Sequence, residues 1–201
     1  ESLDLRNSLD KIKQIEVLRG PASSLYGNVA LTAVINIITK QGQDVDGFEI
    51  KGGIGNNGTY KGNFLFGKRY MDVDFMAWGS FYSSNGEKRY VKPGDEDYYN
   101  VGDKPGYFYI NRFNETPSSD FGITAKYNKF SFLLSHQKSK KVLTYSNLFQ
   151  SGIYSYDLYN KIDGSKPGTT RENSNVEILY DDQVDNLFLQ VKVSAGVEKA
   201  S

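Results

Sequence analysis

Side chains able to do chemistry are few and scattered in this chain. His136 is the single histidine, and no nucleophile with an oriented partner accompanies it, as a catalytic histidine requires. We find neither a GxSxG nor an HExxH motif. Two groups of acidic residues fall in predicted loops, Asp95 to Asp97 and Asp181 with Asp182. Charged side chains in loops are ordinarily solvated, and the alternative is that Asp95 to Asp97 bind calcium. The sequence therefore predicts a protein that is not an enzyme and uses no cofactor.

Residues 53–58 match the GxGxxG pattern of nucleotide-binding loops. Such a loop holds a phosphate when a helix begins directly after it. Here the aromatic, β-prone residues 60–66 follow. Because Asn57-Gly58 favours positive φ angles, the segment predicts a hairpin turn instead.

Two long polar segments, residues 83–117 and 139–171, are rich in tyrosine and asparagine. Aromatic side chains in such loops either stack on a small ligand or pack the loops on themselves. The candidate ligand-contacting aromatics are Tyr98, Tyr99, Tyr107, Tyr109, Tyr145, Tyr154, Tyr156 and Tyr159.

Composition favours a β-protein. The 201 residues carry 24 basic and 24 acidic side chains, so no net field attracts nucleic acid. The absence of cysteine excludes disulfides and thiolate metal sites within the sequence. Abundant tyrosine, phenylalanine and glycine are typical of many short strands. No apolar run reaches the ~18 residues of a membrane-spanning helix, but a spanning strand needs only ~10 residues of alternating character.

Alternation with a period of two predicts seven strands after residue 47, and it is clearest from Met71 to Phe81. The predicted strands are residues 48–54, 60–66, 71–81, 120–127, 130–137, 175–180 and 186–194. Short connections are predicted at residues 67–70, 128–129 and 181–185, so both long segments fall at the other end of the sheet. Tyr70, Tyr127, Phe130 and Tyr180 lie near the short connections, as in an interfacial aromatic girdle. This sorting is typical of outer-membrane barrels, whereas the alternation alone also fits a soluble or secreted all-β domain that binds a ligand such as a carbohydrate.

The segment before these strands has a different pattern. Residues 15–40 read IEVLRGPASSLYGNVALTAVINIITK, which predicts a strand over 14–18, a helical turn over 22–25 and a strand over 34–39. Leu5, Leu9 and Ile12 have the spacing of one helical face. The polar, glycine-containing residues 41–47 predict a linker and a domain boundary.

This segment resembles the end of the plug domain of TonB-dependent outer-membrane receptors. The motifs RGP, LYG and INIITK occur in the family's order, with a departure at residues 31–33, where family members usually carry small residues. The resemblance implies that residues 1–42 are the C-terminal part of an α/β plug and residues 43–201 the N-terminal part of an incomplete transmembrane β-barrel. It also implies that the TonB-contacting segment lies upstream, outside this sequence.

The family resemblance carries functional expectations. It implies energised uptake of a scarce ligand, such as an iron-siderophore, cobalamin or a similar metal chelate, across the bacterial outer membrane. The implied partners are the inner-membrane TonB complex, outer-membrane lipid and the small-molecule ligand, but no nucleic acid. In the family, charged plug residues pair with inward-facing barrel acids, which implies a plug–barrel lock formed by Arg19, Glu16, Glu49, Asp72 and Asp74, with Glu177 as a further inward acid.

Overall fold

A computed structural model describes residues 9–19, 33–95, 106–110, 116–141, 169–185 and 187–201. Within these ranges a 3-10 turn, Leu9–Lys11, precedes β1, and the helix α1, Gly42–Val45, follows β2. The strands are β1 (Ile12–Arg19), β2 (Ala33–Thr39), β3 (Gly47–Gly55), β4 (Thr59–Tyr70), β5 (Val73–Ser83), β6 (Glu87–Val91), β7 (Gly106–Ile110), β8 (Ser118–Tyr127), β9 (Phe130–Lys141), β10 (Thr169–Val184) and β11 (Leu187–Ala200).

Seven strands form one antiparallel sheet in the order β11-β10-β9-β8-β5-β4-β3, which we call the wall. β1 pairs with β2, and we call residues 9–19 and 33–40 the hairpin unit. β6 and β7 form a separate pair. The predicted mainly β, antiparallel class is confirmed, and the described sheet is consistent with part of a β-barrel.

The turns of the wall follow backbone chemistry. Asn57 and Gly58 both have positive φ, so residues 53–58 end in a hairpin turn as predicted, and Asn128 begins the predicted turn between β8 and β9. The predicted connection over residues 67–70 is wrong, because β4 continues to Tyr70 and the turn occupies Met71 and Asp72. The connection over residues 181–185 is likewise too early, because β10 runs to Val184. In both cases the polar side chains predict a turn, but they are also compatible with a strand end that faces water.

Three further expectations need correction. Ile12 begins β1 opposite Thr39, so the helical face through Leu9 and Ile12 is reduced to a single 3-10 turn. The predicted linker, residues 41–47, contains the short helix α1. The segment 83–117, predicted as a long polar loop, contains the β6–β7 hairpin. The predicted helical turn over residues 22–25 lies outside the described residues.

The two faces of the wall differ in polarity. Large apolar side chains cover the outer face and are exposed, for example Ile50 (71%), Ile178 (49%) and Val193 (64%). The inner face holds the small core of Leu65, Met76 and Trp78, with Val45 of α1 packed against it. Elsewhere the inner face is mostly polar, since alternate residues such as those of β10 and β11 point there. The wall therefore has its apolar surface on the outside and its contacts with the hairpin unit on the inside.

Aromatic side chains mark the end of the wall that carries the β4–β5, β8–β9 and β10–β11 turns. Phe130 and Tyr180 are cross-strand neighbours whose ring centroids lie 5.0 Å apart. Tyr70 and Tyr127 lie at the same end, and both are more than half exposed. Exposed aromatic rings at the border of an apolar band fit an interfacial girdle.

In the described ranges, none of the helical segments has the length and apolar character needed to cross a membrane.

Candidate functional site

One contact between the hairpin unit and the wall is a partly buried charge pair. Lys11 Nζ lies 2.5 Å from Asp120 Oδ2, and the Asp120 side chain is only 4% exposed. The Trp78 indole N–H donates a 3.0 Å hydrogen bond to Asp120 Oδ1. Lys11 Nζ also lies 4.9 Å from the centroid of the Trp78 ring, within the range of a cation–π interaction. The carboxylate thus receives both a charged and a neutral donor, which a buried ion pair needs for stability.

The wall is shaped to hold this pair. Trp78 on β5 lies opposite Gly122 on β8, one position along the inner face from Asp120. A Cβ atom at position 122 would lie 2.2 Å from the Trp78 ring. Gly122 therefore leaves the space that the indole fills, and the indole in turn orients Asp120.

Asp10 binds the adjacent strands of the wall. Its carboxylate lies 2.6 Å from Lys51 Nζ on β3 and accepts a 2.8 Å hydrogen bond from Asn63 on β4. Lys51, Asn63, Ser80 and Asp120 follow one another in cross-strand register along the inner face. Asp10 and Lys11 have opposite charges and meet opposite charges in this one row. The row therefore fixes where the hairpin unit docks.

Residues 41–46, which we call the connector, are held to the wall by backbone donors. Asp74 accepts hydrogen bonds from the N–H groups of Gly42 (2.6 Å) and Gln43 (3.0 Å). Arg69 donates to the Gln43 side chain at 2.8 Å. Asp74 thereby satisfies free donors at the start of α1, which ties the chain to β5 as it leaves the hairpin unit.

A second charge pair links the hairpin unit to the connector. A hydrogen bond from Lys13 Nζ to Asp44 (2.7 Å) holds the pKa of the Asp44 carboxyl below its usual value, and the Gln41 N–H (2.8 Å) acts in the same direction. A depressed carboxyl pKa stabilises the docked state above the unfolded pKa of ~4. This contribution is lost as the pH falls through the lower pKa of the folded state.

We therefore expect Asp44→Asn to reduce the acid sensitivity of docking. At neutral pH the variant should lose less than about 1 kcal/mol, because the pair is near the surface. Amide hydrogen exchange in residues 9–19 measures docking in both proteins between about pH 3 and pH 6, across the usual carboxyl range. An equal loss of protection on acidification in variant and wild type would contradict this assignment.

The residues of the predicted lock are distributed between the hairpin unit and the wall. Glu16 accepts hydrogen bonds from Gln14 and Asn36 within the hairpin unit, each at 3.0 Å. Glu49 lies 3.8 Å from Lys40 at the end of that unit. Asp72 is exposed in the β4–β5 turn, and Arg19 pairs through its backbone with Ala33, with its side chain outside the description.

A lock through Arg19 stays a prediction. Of the predicted barrel acids, Glu49 lies near Lys40 and Asp74 binds the connector, whereas the shortest described ion pairs between the hairpin unit and the wall are those of Lys11 and Asp10. Alternation alone puts Trp78 and Asp120 on the predicted inner faces of their strands, but no signal in the sequence pairs them with Lys11. Glu177 forms a 2.6 Å ion pair with Lys192 inside the wall.

The other candidates lie away from this interface. Tyr107 and Tyr109 belong to β7, where they pair through the backbone with Tyr90 and Lys88. His136 lies on the outer face, 2.9 Å from Ser174 Oγ. Six tyrosine candidates fall outside the described residues: Tyr98, Tyr99, Tyr145, Tyr154, Tyr156 and Tyr159. Among the described residues, no group of three or more acidic or histidine side chains could hold a metal ion, and Glu96 and Asp97 fall outside them.

The structure is an antiparallel sheet with an apolar outer face, and the hairpin unit binds its inner face through ion pairs. No protein-family model matches the chain. It is similar to the pesticin receptor of Yersinia pestis, with 32% identity over 88 residues, which are 44% of this chain and 12% of that receptor. It is also similar to the vitamin B12 transporter BtuB of Vibrio vulnificus, with 36% identity over 53 residues, or 26% of this chain and 9% of the transporter.

A shorter match has higher identity. The ferrienterobactin receptor of Escherichia coli K12 is 61% identical over 33 residues, which are 16% of this chain and 4% of that receptor. All three matches thus span about an eighth or less of the relatives. These relatives are named as receptors and a transporter rather than as enzymes, and the names indicate TonB-dependent receptors, in agreement with the resemblance of residues 15–40.

Proposed function

We propose that this chain is part of a TonB-dependent outer-membrane transporter that takes up a scarce ligand. Residues 1–42 are the C-terminal part of its plug, and residues 43–201 are the first strands of its barrel. The ligand is an iron-siderophore, cobalamin or a similar metal chelate, in keeping with the named relatives. The inner-membrane TonB complex supplies the energy.

The observation that carries this proposal is the docking of Asp10 and Lys11 on the inner face of a wall whose outer face is apolar. A soluble sheet buries its apolar face and exposes its polar face. Here the large exposed apolar residues lie outside, and the buried ion pair of Lys11 and Asp120 lies inside. An apolar outer face is stable in contact with lipid acyl chains, and a polar inner face is typical of the lumen of an outer-membrane barrel.

In the proposed transporter, the two ion pairs Lys11–Asp120 and Asp10–Lys51 hold the plug in the barrel lumen. Lys11 and Asp10 hold the hairpin unit to β3, β4 and β8, so the plug segment stays in the lumen without a covalent bond. The connector has separate contacts with the wall, through Asp74 and Arg69.

Fractionation and uptake by cells expressing the intact gene test the proposal. We expect the full-length protein in the outer membrane, extracted only by detergent. We expect the cells to accumulate radiolabelled ferric enterobactin or vitamin B12 more than cells lacking the gene do, and a protonophore to abolish the difference. A full-length protein that stays in solution without detergent and separates from the outer membrane would contradict the transporter proposal.

A further inference from the structure

The Lys11 ammonium group occupies a site that has the form of a small ligand-binding cage. Asp120 provides a carboxylate at 2.5 Å, and Trp78 provides an aromatic face 4.9 Å from the nitrogen. A carboxylate combined with an aromatic face is the usual arrangement for recognising an organic cation. The wall supplies both groups, and Lys11 supplies only the cation.

The cage is built independently of Lys11. The Trp78 N–H bonds Asp120 Oδ1, which leaves Oδ2 for the cation. Gly122 and the β5–β8 register place the indole beside the carboxylate. These contacts all lie within the wall and none involves Lys11, so loss of Lys11 would leave the Asp120 carboxylate without its cation. An uncompensated buried charge is costly, and this cost favours capture of another cation.

A second buried polar group lies on the inner face of the same strand, β8. Ser118 precedes Asp120 by two residues, so both side chains are on the inner face of β8. Ser118 Oγ is buried and has no hydrogen-bond partner among the described residues. Buried hydroxyl groups normally have partners. A hydroxyl group can accept a hydrogen bond from a polar group that reaches this part of the inner face.

We propose that Trp78 and Asp120 form an exchangeable ammonium-binding site in the wall. Lys11 is its resident occupant, and the primary ammonium group of a small organic ligand replaces it when Lys11 withdraws. The withdrawal of Lys11 during transport rests on the proposed function, whereas the chemistry of the cage does not. The site is selective for compact, unsubstituted ammonium groups, because Oδ2 receives its cation at hydrogen-bond distance.

Chemical rescue tests the cage. The change Lys11→Ala removes the atoms of n-propylammonium, so the full-length variant in detergent is titrated with that ion at constant ionic strength. We expect a saturable rise of about 2 °C or more in the thermal unfolding midpoint. Lys11→Ala/Asp120→Asn is the matched control and should not respond. Tetramethylammonium, which lacks N–H donors, should give at most a weak response.

A second measurement needs no variant of Lys11. In the wild-type protein, n-propylammonium should compete with Lys11 and speed amide exchange in residues 9–19 several-fold, and Asp120→Asn should abolish this competition. Unsaturable responses in both measurements, or equal responses with and without the Asp120 carboxylate, would overturn the cage. A protein that binds n-propylammonium in this way but fractionates away from the outer membrane would instead overturn only the transporter.

Discussion

Replacing Lys11 with methionine is expected to lower the free energy that docks the hairpin unit on the wall by about 3 kcal/mol. Methionine keeps the apolar stem but removes the charge, so the Asp120 carboxylate stays buried at 4% exposure without its cation. The loss reflects mainly the stranded carboxylate rather than the contact itself. Amide hydrogen exchange in residues 9–19 of the full-length protein measures this opening free energy.

A double-mutant cycle separates the pair from its surroundings. Asp120→Asn keeps an acceptor for the Trp78 N–H, so Lys11→Met/Asp120→Asn contains no buried unpaired charge. We expect the double variant to lose about 2 kcal/mol less than the sum of the two single losses. Lys13→Met is the control, since Lys13 is half exposed and its pair with Asp44 lies near the surface. Additive losses for Lys11 and Asp120 would show that the pair does not hold the hairpin unit.

The change Gly42→Ala should destabilise the attachment of the connector by about 3 kcal/mol, the upper part of the range for overpacking. A Cβ atom at position 42 would lie 2.1 Å from the Phe75 carbonyl oxygen and 2.8 Å from that of Lys68. Both obstacles are backbone atoms of the wall, so neither can rotate away. The Gly42 N–H also donates to Asp74, and displacement of α1 breaks this bond. Loss of amide protection at residues 42–46 measures the effect.

Gly52→Ala is the matched control for Gly42. Gly52 lies in the middle of β3, and a Cβ atom there meets nothing within 4 Å. Alanine should cost little at this exposed strand position and could stabilise the protein by restricting the unfolded chain. If Gly42→Ala and Gly52→Ala behaved alike, the close packing of the connector on β4 and β5 would be refuted.

Much of the wall could be predicted from residue alternation. The pattern from Val73 to Tyr82 separates the two faces of β5, and the seven strands keep a mostly apolar outer face and a mostly polar inner face around the small core of Leu65, Met76 and Trp78. Turn chemistry at Asn57-Gly58 and at Asn128 also located two hairpins correctly. The predicted ends of two strands were wrong where the residues are polar. Lys68 and Arg69 predict a loop, but in the structure they continue β4 and contact the connector.

The interface itself could not be predicted, because its partners are distant in sequence. Lys11 and Asp120 are separated by 109 positions, and each looks like an ordinary charged residue in its own segment. The spacing of Leu9 and Ile12 suggested a helix, whereas pairing with β2 draws Ile12 into a strand. Tertiary contacts override a weak local preference in such a short segment. The family resemblance predicts a lock at Arg19 and Glu16. These residues are near Asp10 and Lys11 in sequence, but Asp10 and Lys11 form the described ion pairs with the wall.

Spin labels on β9 and β10 test the central claim, that the outer face of the wall meets lipid and the inner face does not. Labels attached through Leu134→Cys and Val176→Cys report the outer face, and labels attached through Ser135→Cys and Asn175→Cys report the inner face. These four sites form two adjacent cross-strand pairs, and the 201 residues contain no cysteine of their own. In the full-length protein in bilayers, we expect collisions with lipid-soluble oxygen to be frequent at positions 134 and 176 and rare at 135 and 175. Equal oxygen accessibility on both faces, or a reversed pattern, would contradict a membrane wall that closes around its plug.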